Sequence, residues 1–292
     1  MVRHAPREIV NAMTIDVEDY FQVSAFEHVV SREAWGDFES RVGTNTRRLL
    51  QIFEETNTHA TFFVLGWVAE RFPEIVRAIR DRGHELASHG YAHRLVYSIS
   101  ADEFRDDIRR ASDAIEAACG IRVRGYRAPS FSITQQSLWA LDVLLEEGFE
   151  YDASIYPIRH DRYGIPDWQR HIHTIARDGG NLWELPGSTV TWGGFNFPVG
   201  GGGYFRQLPY EWTKAGVHRL NAVESQPAVF YLHPWEIDAK QPRLVSSLVS
   251  SVRHYRNLDK TEARLRRLLA DFRFGPISEV LTNLTGLNSR AS

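Results

Sequence analysis

The feature that most constrains this chain is an alternation. Short apolar runs that read as strands alternate about seven times with stretches of helical period, which predicts parallel strands with helices outside them. The runs are Ile9–Val17, Ala60–Leu65, His84–Ser88, Ile121–Arg127, Phe149–Ser154, Leu182–Leu185 and Ala228–Leu232. Ala60–Leu65 is unbroken apolar sequence, the mark of a strand buried on both faces. Between the runs, Leu49, Leu50, Ile52 and Phe53 keep helical spacing. So do Val68, Phe72, Ile75, Val76 and Ile79, and Gly83 closes that helix. Ser100-Ala101-Asp102-Glu103 has the form of a capping box and opens a helix that ends at Gly120. Thr134–Leu145 and Pro209–Val223 read as helical, and a last amphipathic helix carries Leu265, Leu268, Leu269 and Phe272. Residues 159–180 and Gly200–Gly203 read as loops, and the polar tail from Asn283 is expected to fray. A chain of 292 residues suits either an open doubly wound sheet or one (β/α) barrel.

Composition excludes several function classes. A formal charge of -3 offers no basic excess for phosphates, so nucleic acid is not an expected partner. The single cysteine, Cys119, permits no internal disulfide and sits in a helical pattern as a packing residue. No apolar stretch approaches the ~20 residues of a membrane span. Met1–Val10 has no signal-peptide pattern, so the expected location is the cytoplasm, near the inner membrane face if the substrate is a lipid-linked precursor.

The polar residues of interest stand just after the strand runs: Asp16, His89, Arg127, Asp152 and His233. In a (β/α) barrel such positions converge on one face. His89 and His93 are four apart and can share a face, a half-site for zinc. A catalytic zinc takes three protein ligands, so an acid, Glu18 or Asp19, completes the set. Asp16 and Glu18 share a strand face, whereas a turn after Val17 brings Asp19 back beside Asp16; the preference falls on Asp19, with Glu18 open. Asp16 can take a proton from water, His233 can give one to a leaving amine, and Arg127 can hold Asp16 ionised. This is the equipment of metal-assisted amide hydrolysis.

The ordered set Thr14–Asp19, Ser88–His93, Arg127-Ala128-Pro129-Ser130-Phe131 and Leu232-His233-Pro234 resembles the polysaccharide deacetylases of the NodB homology type, carbohydrate esterase family 4. The resemblance runs from Asn11 to Pro234. It implies a distorted seven-stranded (β/α) barrel and metal-dependent N-deacetylation of an N-acetylated oligo- or polysaccharide. The metal would be Zn2+, or another divalent ion such as Co2+ or Ni2+. The resemblance makes Asp16 the catalytic base, Arg127 its orienting residue, His233 the general acid, and His89 and His93 metal ligands. Pro129, Phe131 and Trp235 would contact substrate, with a backbone N–H near Phe131 helping to hold the oxyanion. The region after Gly200, with His233-Pro234-Trp235-Glu236, is similar to deacetylases associated with exosortase (PEP-CTERM) loci, which implies a bacterial exopolysaccharide or its precursor. The expected organisation is one domain over residues 1–292, with 235–282 an extension packed on the barrel.

Two departures from the family pattern stand out. The adjacent-aspartate motif is replaced by Asp16-Val17-Glu18-Asp19, and no separate acid–tryptophan motif holds His233; Asp152 is a loose candidate. Two other functions fit the fold class: a metal-independent amidase on a small cyclic ureide, and an inactive carbohydrate-binding protein. Trp192, Tyr204, Phe205 and Trp235 are candidate sugar platforms. His171 and His173 alternate like strand residues and could mimic a metal pair, though a lining role is expected.

Overall fold

The computed structural model describes residues 9–245 and 248–288. The expectation for Met1–Val10 therefore lies almost wholly outside the described residues. The strands are β1 Asn11–Val17, β2 Thr61–Val64, β3 Glu85–Ser88, β4 Gly125–Tyr126, β5 Tyr151–Asp152, β6 His173–Arg177, β7 Gly180–Glu184, β8 Thr189–Trp192, β9 Phe195–Pro198, β10 Val229–Leu232 and β11 Phe274–Gly275. The helices are α1 Val42–Glu55, α2 Gly66–Arg71, α3 Pro73–Asp81, α4 Ala101–Cys119, α5 Ala140–Glu146, α6 Gly202–Gln207, α7 Tyr210–His218, α8 Leu248–Tyr255, α9 Leu258–Asp271 and α10 Ile277–Asn288.

The main sheet runs β10-β1-β2-β3-β4-β5-β7-β6. All pairs from β10 to β7 are parallel, and these are the seven strands anticipated from the alternation. Successive residues of a strand face opposite ways. On β1, Met13, Ile15 and Val17 pack under the helices with Phe62, Val64, Leu232 and the apolar faces of α1, α3 and α4. Ala12 faces the interior with Phe63, Ala87, Tyr151 and Val229. Thr14 and Asp16 share that inner face. β7 and β10 do not pair. Segment 187–201 fills the seam: Ser188 Oγ accepts from Val229 N–H at 2.7 Å, and Gly200 O accepts from Tyr231 N–H at 2.8 Å. This is the distortion in the barrel.

Several local expectations change. Pro73 lacks an N–H and splits the helix read through Val68–Ile79 into α2 and α3. The 159–180 loop contains β6, an antiparallel partner of β7. Gly200–Gly203 is no flexible loop: Gly201 bridges to Tyr231 and α6 starts at Gly202. A Cβ on Gly201 would lie 2.0 Å from Tyr231 O, and one on Gly202 2.4 Å from the Tyr231 ring. The tail from Asn283 continues α10 to Asn288. Residues 235–282 do more than cover the barrel, since β11 pairs in parallel with β1. The Ser100–Glu103 capping box is present, and Cys119 is buried.

Candidate active site

Parallel register decides which side chains meet. Ser88 is opposite Tyr126, so His89 and Arg127 emerge together beyond β3 and β4. Leu232 is opposite Ile15, which raises His233 beside Asp16. Beyond β1 the chain turns, with Glu18 N–H donating to Asp16 O at 3.0 Å. Beyond β3 it turns through Gly90 (φ +72°), and His93 adopts φ +50°, a left-handed conformation unusual for a side-chain-bearing residue.

These turns gather Glu18, His89 and His93, each with a ligand atom within 4.8 Å of the others. All three are buried. His89 Nδ1 lies 2.8 Å from Arg127 O, an atom that can only accept; Nδ1 therefore carries the proton and Nε2 keeps its lone pair. Burial pulls the His89 pKa down to about 4, which keeps the ring neutral. Glu18 Oε1 accepts from Trp235 Nε1–H at 3.1 Å. Glu18 Oε2 is 2.7 Å from His93 Nε2 yet lacks a hydrogen-bond partner among the described residues. Burial opposes ionisation of Glu18, but His93, His233 and His89 outweigh it and hold its pKa well below the carboxylate range. Two imidazoles, one with its Nε2 lone pair free, and an ionised carboxylate with an orphaned buried oxygen fit a divalent metal of the zinc type.

Asp16 stands next to this trio. Arg127 Nη1 donates to Asp16 Oδ1 at 2.7 Å and to Thr14 Oγ1 at 2.7 Å. Arg127 Nε donates to Ala153 O at 3.1 Å, and the guanidinium packs over the Phe63 ring, 4.2 Å from its centroid. Arg127 is 1 % exposed, so its charge is compensated by Asp16 rather than by water.

His233 faces the trio from the other side. Its Nε2 is 3.5 Å from Glu18 Oε1 and 3.8 Å from Asp16 Oδ2. Its Nδ1 lies 2.7 Å from Glu236 Oε1, and Glu236 Oε2 accepts from Arg206 Nε at 2.5 Å. Arg206 Nη1 donates to the carbonyls of Arg253, His254 and Arg256 at 3.1, 2.6 and 3.2 Å. Trp235 is sandwiched between His233 (5.1 Å, 20°) and His254 (4.2 Å, 13°). Burial disfavours charge on His233, but Glu18, Glu236 and Asp16 prevail and push its pKa up to about 9. Burial also opposes the Glu236 charge, but Arg206 and His233 draw its pKa down to about 2. The His233 side chain is 17 % exposed, against 1–3 % for Asp16, Glu18, His93 and Arg127, so it is the group facing open space.

Two expectations, on Asp19 and on Asp152, are corrected. Asp19 is not with His89 and His93: its Oδ2 accepts from Ser40 Oγ–H (2.7 Å), Arg41 N–H (2.8 Å) and Val42 N–H (3.0 Å), which ties it to the start of α1. Trp235 is 4 % exposed and braces Glu18, while it also lines the cleft beside His233. Of the N–H groups near Phe131, its own donates to Ala128 O at 3.1 Å and that of Ser132 to Pro129 O at 3.1 Å. Asp152 lies in register with Glu184 and bonds Ser154, not His233. Pro129 is buried at the turn after Arg127, and Phe131 meets Tyr156 and Tyr231 edge-on.

Of the other aromatic candidates, Phe205 is core, Tyr204 is half-buried and Trp192 is 74 % exposed. His171 pairs with Glu224 at 2.9 Å, and His173 bonds the His171 carbonyl. Glu236 and Arg206 escaped sequence reading. Glu236 had a local signal, because His233–Glu236 has capping-box spacing and the Glu236 carboxylate accepts from the His233 N–H at 3.0 Å. Arg206 had none.

Comparison with known proteins gives two family matches: polysaccharide deacetylase over residues 32–145 and a domain of unknown function (DUF3473) over 153–282. A Bacillus cereus peptidoglycan-N-acetylglucosamine deacetylase is 33% identical over 98 residues, 33% of this chain and 36% of the relative. A Helicobacter pylori peptidoglycan deacetylase is 32% identical over 120 residues, 41% of this chain and 39% of the relative. A Bradyrhizobium chitooligosaccharide deacetylase is 33% identical over 100 residues, covering 34% of this chain and 43% of the relative. The chain thus spans about two fifths of these relatives. A solved structure from Mycobacterium smegmatis, assigned as a polysaccharide deacetylase, superposes with TM-score 0.65 at 23% identity over 99% of this chain and 94% of that one. One from Pseudomonas aeruginosa PAO1 gives 0.62 at 15% identity over 93% and 89%. These two likenesses show a shared fold.

Proposed function

We infer that this chain, whose residues 32–145 match the polysaccharide deacetylase family, is a metal-dependent N-deacetylase that hydrolyses the acetamide of an N-acetylhexosamine. The observation that carries the reading is the meeting of Glu18, His89 and His93 within 4.8 Å, flanked by Asp16 and His233. Glu18, His89 and His93 would hold the metal. When bound, such an ion polarises the scissile carbonyl and acidifies water.

The chain's own groups do the rest. Asp16 Oδ2 is left open while Oδ1 is held by Arg127, so Asp16 is positioned to take a proton from the attacking water. His233 Nε2 gives a proton to the departing amine. Glu236, on Nδ1, fixes the ring and stabilises its charged form. Trp235 keeps Glu18 in place and shields one side of the His233 ring.

The polymer is read as a bacterial exopolysaccharide or its precursor, following the resemblance of the region after Gly200. Acetate release from N-acetylglucosamine oligomers, measured before and after chelation, tests the reading. Chelation is expected to abolish release, and zinc or cobalt to restore it. Full activity in metal-free protein would overturn it.

A further inference from the structure

We propose that the cleft beside His233 is a subsite for an acidic group, a carboxylate or a phosphate, carried by the substrate next to its acetamido sugar. The proposal rests on the deacetylase reading above for what is bound at His233. The cleft has a volume of about 690 Å³ and runs from Tyr231, His233 and Trp235 to Arg162 and Arg253. That volume lies within the range of about 300–1,000 Å³ typical of ligand pockets.

The balance of charge in the cleft is specific. Arg162 and Arg253 are exposed and make no ion pair among the described residues. Other exposed arginines, such as Arg82 and Arg159, are also outside the ion pairs of the described residues; what sets Arg162 and Arg253 apart is that both line one cleft with His233. Asp161 also lines the cleft; His160 Nδ1, 2.9 Å from its carboxylate, accepts from the Arg162 N–H at 3.2 Å and so has no proton to offer it. Arg206 is neutralised by Glu236. The cleft is thus left with two cationic forks against one acid. A guanidinium meets a carboxylate or phosphate through two parallel hydrogen bonds, a geometry a neutral sugar cannot offer.

The cleft wall also carries rings suited to sugars. Tyr163 and Tyr204 approach with hydroxyls 3.2 Å apart, and His160 stacks on Tyr163 at 3.9 Å and 18°. Burial raises both tyrosines, so their hydroxyls stay protonated and able to donate. An N-acetyl sugar placed at His233 would direct its neighbouring linkage along these rings toward Arg162 and Arg253.

The test is calorimetric binding to the full chain, which reads affinity without turnover. Three probes separate the sources of the acid: hyaluronan hexasaccharide (uronate), UDP-N-acetylglucosamine (diphosphate) and chitin hexasaccharide (neutral). One or both acidic probes are expected to bind about tenfold tighter than chitin, the gain of one charge-assisted bidentate contact. In the Arg162→Gln/Arg253→Gln variant that preference is expected to vanish while chitin affinity is unchanged, which also shows that the variant folds. Preference for the uronate assigns the group to the polymer, and preference for the diphosphate to a precursor. Equal affinity for all three probes, binding of none, or a preference that survives the double variant overturns the proposal. Acidic preference without acetate release would keep this subsite and remove the deacetylase reading instead.

Discussion

The two halves of the candidate site are built in different ways. Asp16, Glu18, His89, His93 and Arg127 sit at or just past the ends of parallel strands, where backbone register sets their positions. His233 also follows a strand. Its support, however, is a side-chain network, Glu236, Arg206, Trp235 and His254, drawn from residues 206–254. The strand-end half is held by the ladder of the whole sheet. The other half depends on a buried ion pair, Arg206 with Glu236, whose side chains are 3 % and 0 % exposed. Removing one member of such a pair leaves an uncompensated charge, at a cost of about 3–5 kcal/mol. The candidate site is therefore set by strand register around His89 and Arg127, and by side-chain contacts around His233.

Substitutions should grade accordingly. His89→Ala takes away one of three ligands, and both bound metal and acetate release are expected to disappear, read by elemental analysis and acetate assay. Retained metal would move the site elsewhere. His233→Ala should keep metal and fold while lowering turnover by ~10²–10⁴, the usual worth of a general acid. Loss of metal in that variant would make His233 a ligand and erase the division between the halves.

Glu236→Gln should lower turnover by about 10–100-fold, the scale of a group acting through another residue. Arg206→Met should do the same and also reduce stability by about 3–5 kcal/mol in denaturant titration. An Arg206→Met protein as stable as the parent would show that the acid half does not hang on this pair. The smallest effect is expected at Asp19→Asn: it weakens a bond set at the start of α1 for about 0.5–2 kcal/mol and leaves metal and turnover in place.

The same contrast explains what the sequence made legible. Alternating apolar runs disclosed the seven parallel strands, and residues just past them converge in any barrel. Asp16, His89, Arg127 and His233 were readable for that reason. The choice between Glu18 and Asp19 was not, because it turns on what else each carboxylate meets. Ser40, Arg41 and Val42 claim Asp19 across 21–23 residues of sequence, and Trp235 claims Glu18 from 217 residues away. Arg206 bonds Glu236 and three carbonyls of residues 253–256, contacts that follow from no local period. Trp235 looked like a sugar platform because an aromatic beside a catalytic histidine is often one. Its burial between two imidazoles adds a bracing role to its place on the cleft wall.

The central claim is that Glu18, not Asp19, completes the metal site with His89 and His93. Metal per chain, measured by elemental mass spectrometry on purified wild-type, Glu18→Ala and Asp19→Asn proteins, tests it most directly. The account predicts about one zinc-type ion per chain in wild type and Asp19→Asn and none in Glu18→Ala. A fully loaded Glu18→Ala protein beside an empty but folded Asp19→Asn protein would contradict it.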